Sequence, residues 1–158
     1  MPTHNQYFND QNQQLNPGVM VMAGPILPVA ISVEAALADY LTKHNQLIPQ
    51  PIVGWALIDT GATRTAIDQS VVKHLGLSPV DRVTLTTAGG KRDAGVYACR
   101  MKFASPALPE ITASRATEVD LAGQSVGDKT IIALIGRDIL SACVLVYNGT
   151  NGHFSISF

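Results

Sequence analysis

Ala-Leu-Ile-Asp-Thr-Gly-Ala-Thr, residues 56–63, is the stretch from which the rest of the chain is best read. An apolar run ends on Asp59, and the small residues Thr60-Gly61-Ala62 turn the chain immediately afterwards. The pattern predicts a strand over 52–58 that delivers Asp59 to a sharp turn. A carboxylate in that position can be presented at a cleft. The motif occurs once in the 158 residues, so one chain offers one such carboxylate.

Upstream, Val29, Ile31 and Val33 alternate with small or polar neighbours, which is strand spacing. Val33, Ala36, Leu37, Tyr40 and Leu41 then fall on one helical stripe, with Ser32 as the expected cap and Asn45, Pro49 and Pro51 as the stop. This helix at 33–44 reads as an insertion before the Asp59 strand, serving packing rather than dimerisation or substrate access. Downstream, Asp68 caps a helix predicted at 69–75, whose buried face is Val71, Val72 and Leu75 and whose C′ residue is Gly76. Residues 82–103 read as a long β-hairpin with Gly89-Gly90 at its tip. Over 104–129 the pattern weakens, with short strands expected around Ile111 and Val119. Thr130–Ile135 is a continuous apolar run, as in a strand buried on both faces, and Gly136 ends it before one or two helical turns at 137–143. Val144–Tyr147 and His153–Phe158 flank Asn148-Gly149-Thr150-Asn151-Gly152, a hairpin signal.

The length predicts one domain with its own core. Residues 1–16, rich in Asn and Gln, read as a disordered polar tail ahead of a domain spanning 17–158. Charged residues make up 15%, low against a typical value of about 25%, which suggests that apolar surface is covered by a partner subunit. A net charge of −1 argues against a nucleic-acid partner. The N-terminus lacks the plan of a signal peptide, and the apolar stretch 19–33 is broken by Gly24, Pro25 and Pro28 and is short of the ~20 residues of a membrane helix. The expectation is a cytoplasmic chain with no membrane partner. Cys99 and Cys143 have neither metal nor redox spacing; two buried free thiols are expected, with a disulfide as the alternative. None of the four histidines has metal-ligand spacing, so neither a metal nor another cofactor is expected.

Asp59-Thr60-Gly61 taken together with Leu134-Ile135-Gly136-Arg137-Asp138-Ile139-Leu140 resembles the retropepsin family, the retroviral-type aspartic proteases, as a single-domain member of cellular or bacterial type. The resemblance covers roughly residues 24–158. It implies an all-β, closed barrel-like fold with two or three short helices, one lobe per chain, acting as a homodimer on peptide or protein substrates in extended conformation. It implies that Asp59 is catalytic. Two close carboxyls cannot both ionise, so they share a proton, one serving as base and the other as acid. With one Asp-Thr-Gly per chain, the second Asp59 must come from a second copy. The resemblance assigns loop support to Thr60, Gly61, Ala62 and Thr63, with Thr60 bonding across the dimer and the Gly61 N–H contacting the carboxylates. It assigns Ile135, Gly136 and Arg137 to the segment that threads the loop, and a substrate-covering flap to Ala88, Gly89, Gly90 and Lys91. It also favours a dimer sheet for the Phe154/Ile156/Phe158 face, which the local pattern leaves equally open to the chain's own core.

The chain departs from the family in two places. Pepsin-like relatives carry a Ser or Thr donor where Ala62 stands, and its loss predicts an optimum less acidic than theirs, with a pH–rate profile peaking above about pH 3. Retroviral enzymes place an acid where Thr63 stands, so Arg137 lacks its expected partner; Asp68 or Asp138 could substitute, or Arg137 could be solvated. Two rivals differ in kind. Asp59-x-Gly61-x-Thr63, with Asp93-Ala94-Gly95, also resembles the phosphate loops of actin-like ATPases, but those need two lobes and far more chain. A retropepsin-fold dimerisation or peptide-binding module with little catalysis is the alternative function.

Overall fold

The computed structural model describes residues 1–87 and 90–158, with only the backbone described for Thr86 and Thr87. The fold is mainly β. Its centre is a closed six-stranded barrel built from β2 (Ile26–Val33), β3 (Ile52–Ile58), β4 (Ala66–Asp68), β6 (Gly90–Phe103), β7 (Ile111–Val119) and β9 (Lys129–Ile135). Around the barrel the order is β2-β3-β9-β4-β7-β6, and the antiparallel β2–β6 pairing closes it. β9 lies parallel to β3 and antiparallel to β4. This central place explains its unbroken apolar sequence: Ile131, Ile132, Ala133 and Ile135 are all buried. The two-residue β8 (Ser125–Val126) hairpins onto β9, and β5 (Asp81–Thr87) extends the sheet beyond β6 as an edge strand. The expected pair of short strands around Ile111 and Val119 is one nine-residue strand, β7.

Among the described residues four short helices decorate the barrel, where two or three were expected: α1 (Pro17–Ala23), α2 (Ala35–Lys43), α3 (Gln69–Leu75) and α4 (Arg137–Leu140). α3 follows its sequence signals closely. The Asp68 side chain accepts from the Ser70 N–H, Val71 and Leu75 are buried, and Gly76 takes the left-handed conformation at φ 60°. α2 begins later than its apolar spacing suggests. Ser32 belongs to β2, opposite Arg100, and Glu34 takes the N-cap position without a side-chain bond. No residue of α2 is fully buried; Tyr40 is exposed and stacks on His44 at 4.1 Å. Apolar spacing fixed the helix but not a partner for its face.

The N-terminus is not a disordered tail. Thr3–Tyr7 forms β1, the first strand of a second sheet, β1-β11-β10, with β10 (Val144–Asn148) and β11 (His153–Ser157). Backbone pairing does not require apolar side chains, so the polar sequence of β1 hid it. Phe8 supplies the anchor that composition missed, buried and 6.2 Å from Phe154. Asn16 caps α1 through the Gly18 N–H at 2.9 Å, with Pro17 in the first turn. Phe154 and Ile156 are buried in the chain's own core, and β1 and β10 pair both edges of β11. Both edges of β11 are thus paired within the chain, and among the described strands β1 and β10 are the outer ones of this sheet. Cys99 is a buried free thiol whose pKa burial pushes up to about 12, and Cys143 is a half-buried free thiol. Among the described residues no helix is long and apolar enough to cross a membrane.

Candidate active site

β3 delivers Asp59 to the end of the barrel. The Asp59 N–H donates to the Ile135 carbonyl at 3.0 Å, the last rung of the parallel β3–β9 ladder, and the Ala62 N–H closes the turn onto the Asp59 carbonyl at 3.2 Å. The carboxylate folds back over its own turn. Its Oδ1 accepts from the Gly61 N–H at 2.9 Å and from the Ala62 N–H at 3.1 Å. No described residue bonds Oδ2, so one oxygen is pinned and the other is available to a reactant. A Cβ on Gly61 would lie 3.1 Å from Oδ1 and crowd the carboxylate. Thr60 and Gly61 are exposed, and the Thr60 hydroxyl has no partner among the described residues.

The segment that leaves β9 locks this loop from below. Gly136 is buried against it: a Cβ there would come within 2.4 Å of the Arg64 carbonyl carbon, 2.6 Å of its oxygen and 2.7 Å of the Thr65 nitrogen. The requirement is space, since the Gly136 backbone is extended. The Arg137 N–H donates to the Ala62 carbonyl at 2.9 Å. The Arg137 guanidinium, expected to need an acid, instead donates to the Thr60 carbonyl at 3.1 Å, the Gly61 carbonyl at 3.4 Å and the Thr63 hydroxyl at 3.0 Å. Neither Asp68 nor Asp138 is its partner, and it is not simply solvated. Thr63 therefore keeps the Arg137 connection that an acidic residue would have made. Ile135, Gly136 and Arg137 all lie against the loop.

Two further residues complete the lock and were not assigned from sequence. Thr65 is fully buried; its hydroxyl accepts from the Gly136 N–H at 3.1 Å and donates to Asp138 Oδ1 at 2.8 Å, while its own N–H reaches the same oxygen at 2.8 Å. The available signal was weak: Thr65 is the last of three polar residues, Thr63-Arg64-Thr65, before the apolar Ala66-Ile67. Asp138→Ala strands the buried Thr65 N–H and hydroxyl, and is expected to lower stability by about 2–3 kcal/mol. Asp138→Asn keeps an acceptor and should lose clearly less; urea unfolding of the two variants makes the comparison.

Asp68 has a separate structural task. Burial would raise its pKa, but the Ser70 hydroxyl and the Leu121, Ser70 and Gln69 N–H groups together outweigh burial and hold the carboxyl below its ordinary value of 3.8. Its ionised form is thus favoured by folding. Its contribution is fully present above the unfolded value and is lost as pH falls through the lower folded value. The urea midpoint should therefore fall as pH drops below about 4, and fall less steeply in Asp68→Asn. Equal slopes would assign the acid sensitivity elsewhere.

The β5–β6 hairpin stands over one side of this loop. Its last described rung pairs Thr87 with Gly90, and Lys91 is exposed opposite Thr86. Of the four residues expected in the flap, Ala88 and Gly89 lie outside the described residues. Between the hairpin and the Asp59 loop is a cleft of about 450 Å³ bordered by Ala62 and Thr63 on one side and by Val83, Thr84 and Leu85 of β5 on the other. β5 pairs with β6 alone among the described strands, so its other edge is open beside the cleft.

Residues 50–139, more than half of the chain and running from just before β3 into α4, match the family model of aspartyl proteases. Among solved structures, a retropepsin-like aspartic protease from Rickettsia conorii is similar at 12% identity and a TM-score of 0.45, over 98% of this chain and 90% of that one. A comparison with curated proteins finds no match. The matched residues include Asp59, its turn and the Gly136 segment that locks it, and the chain belongs to the aspartyl protease family.

Proposed function

We propose that the chain is an aspartic endopeptidase that works as a homodimer, with the two Asp59 carboxylates facing each other across a two-fold axis. The observation that carries this reading is the Asp59 carboxylate itself: one oxygen is held by two backbone N–H groups, the other is open, and the chain contains no second Asp-Thr-Gly. One ionised Asp59 takes a proton from water while the protonated Asp59 of the second copy donates to the scissile carbonyl oxygen. Attack by the water oxygen gives a tetrahedral diol. Its collapse breaks the C–N bond as the first Asp59 gives its proton to the leaving nitrogen and the second takes back a proton from a diol hydroxyl, which restores the pair.

Thr60, which is exposed, would bond its counterpart across the axis, and Gly61, Ala62 and Thr63 would keep the loop in shape. An extended peptide would add to the open edge of β5, under a flap formed by residues 88–91, so that main-chain bonds hold it and alternate side chains enter clefts. The test is digestion of a peptide library by wild type and by Asp59→Asn, with the mass of the assembly measured in parallel. Cleavage by wild type alone, by a dimer, is the expected result. Equal cleavage by both proteins would end the reading, and binding without cleavage by either would make the chain a peptide-binding module.

A further inference from the structure

The cleft between the catalytic loop and β5 has one charged residue in its lining, Arg64. The walls are otherwise apolar or hydroxylic: Ala66, Leu85, Val119 and Leu134 supply the apolar surface. Arg64 is exposed and forms no hydrogen bond or ion pair with any described side chain. The acids of the neighbouring strands are already engaged. Asp81 is ion-paired with Arg115, Asp93 accepts the Thr84 hydroxyl at 2.9 Å, and Glu118 accepts the Tyr97 hydroxyl at 2.9 Å. A second guanidinium, that of Arg92, reaches the Glu118 carbonyl at 3.2 Å. The cleft thus joins apolar walls to a guanidinium that makes no direct ion pair: its charge acts on Asp81, but that carboxylate is bonded to Arg115.

We propose that Arg64 makes this cleft select an acidic substrate side chain, glutamate above all, so that the substrates are peptides carrying a carboxylate near the scissile bond. This rests on the endopeptidase reading and names its substrate class. A peptide strand added to β5 would turn alternate side chains toward the cleft. The methylenes of a glutamate would cover Leu85, Val119 and Leu134, and its carboxylate would meet the guanidinium, whose planar donors match a carboxylate in a two-bond fork. A lysine there would bring a second cation against Arg64, and a glutamine would lose the charge.

The experiment uses the full chain and a peptide set in which an apolar scissile pair is fixed and each flanking position carries Glu, Gln or Lys in turn. At one position, wild type should cleave the Glu peptide with a kcat/KM about tenfold above its Gln twin. That ratio should fall to about one in Arg64→Gln, and the preference should move to Lys in Arg64→Glu. Ratios within one enzyme are unaffected by a change in overall activity. Equal rates for Glu and Gln at every position, or a preference that survives Arg64→Gln, would overturn the assignment. The affinities of the same peptides for Asp59→Asn and Asp59→Asn/Arg64→Gln separate this claim from the protease reading. If wild type cleaves nothing, the endopeptidase reading fails; tighter Glu binding that is lost with Arg64 still supports the acidic subsite, and equal binding overturns it.

Discussion

Asp59→Asn is expected to abolish peptide hydrolysis, by roughly three to four orders of magnitude or more in kcat/KM, while leaving the protein folded. The two halves of that expectation have different origins. The fold survives because an asparagine Oδ1 can accept the Gly61 and Ala62 N–H groups that Asp59 Oδ1 accepts now, at 2.9 and 3.1 Å. The activity does not, because an amide can neither take a proton from water nor carry one to the substrate carbonyl. Thermal unfolding and peptide cleavage measured on the same preparation separate the two. An Asp59→Asn protein that cleaves as wild type does would remove Asp59 from the chemistry.

Gly136→Ala is expected to have the largest structural effect of any single methyl group in the chain. The added carbon would stand 2.4–2.7 Å from backbone atoms of Arg64 and Thr65, which cannot swing aside as a side chain does. Relief requires moving the loop and the 135–138 segment apart. That motion would lengthen the bonds from the Gly136 N–H to Thr65 and from the Arg137 N–H to Ala62, now 3.1 and 2.9 Å. A loss of about 3 kcal/mol is expected from overpacking a site with no room to relax. Activity should fall further than stability, because the same segment holds the Asp59 turn. Gly54→Ala is the comparison: its methyl would meet the Ile132 side chain at 2.8 Å, and a side chain can adjust. If the two variants unfold at the same urea concentration, the close approach at Gly136 is not what holds the loop.

Local signals were legible wherever one short stretch carried both pattern and punctuation. The strand at 52–58, the capped helix at 69–75 and both hairpins, apart from the tip of the first, emerge where apolar spacing and turn residues put them. The Asp59 loop and the Gly136 segment packed against it are both short, glycine-marked stretches that the sequence displays in order. What escaped depends on partners that a sequence does not display. β1 is held by backbone bonds and by Phe8, a single apolar residue after a polar run. The α2 stripe has helical spacing but little to bury against. Arg137 satisfies its guanidinium on carbonyls, which have no letter in the sequence, and on Thr63, where an acid was the obvious candidate. Asp138 was considered for Arg137 and serves Thr65.

The central claim is that the reacting pair exists only where two chains meet, each contributing one Asp59. Wild-type and Asp59→Asn chains unfolded together and refolded at fixed total concentration test it most directly. If each site takes one Asp59 from each chain, activity follows the square of the wild-type fraction, and an equal mixture retains one quarter of the wild-type rate. A linear fall, with half the rate retained in the equal mixture, would mean that one chain carries a complete site and would contradict the account.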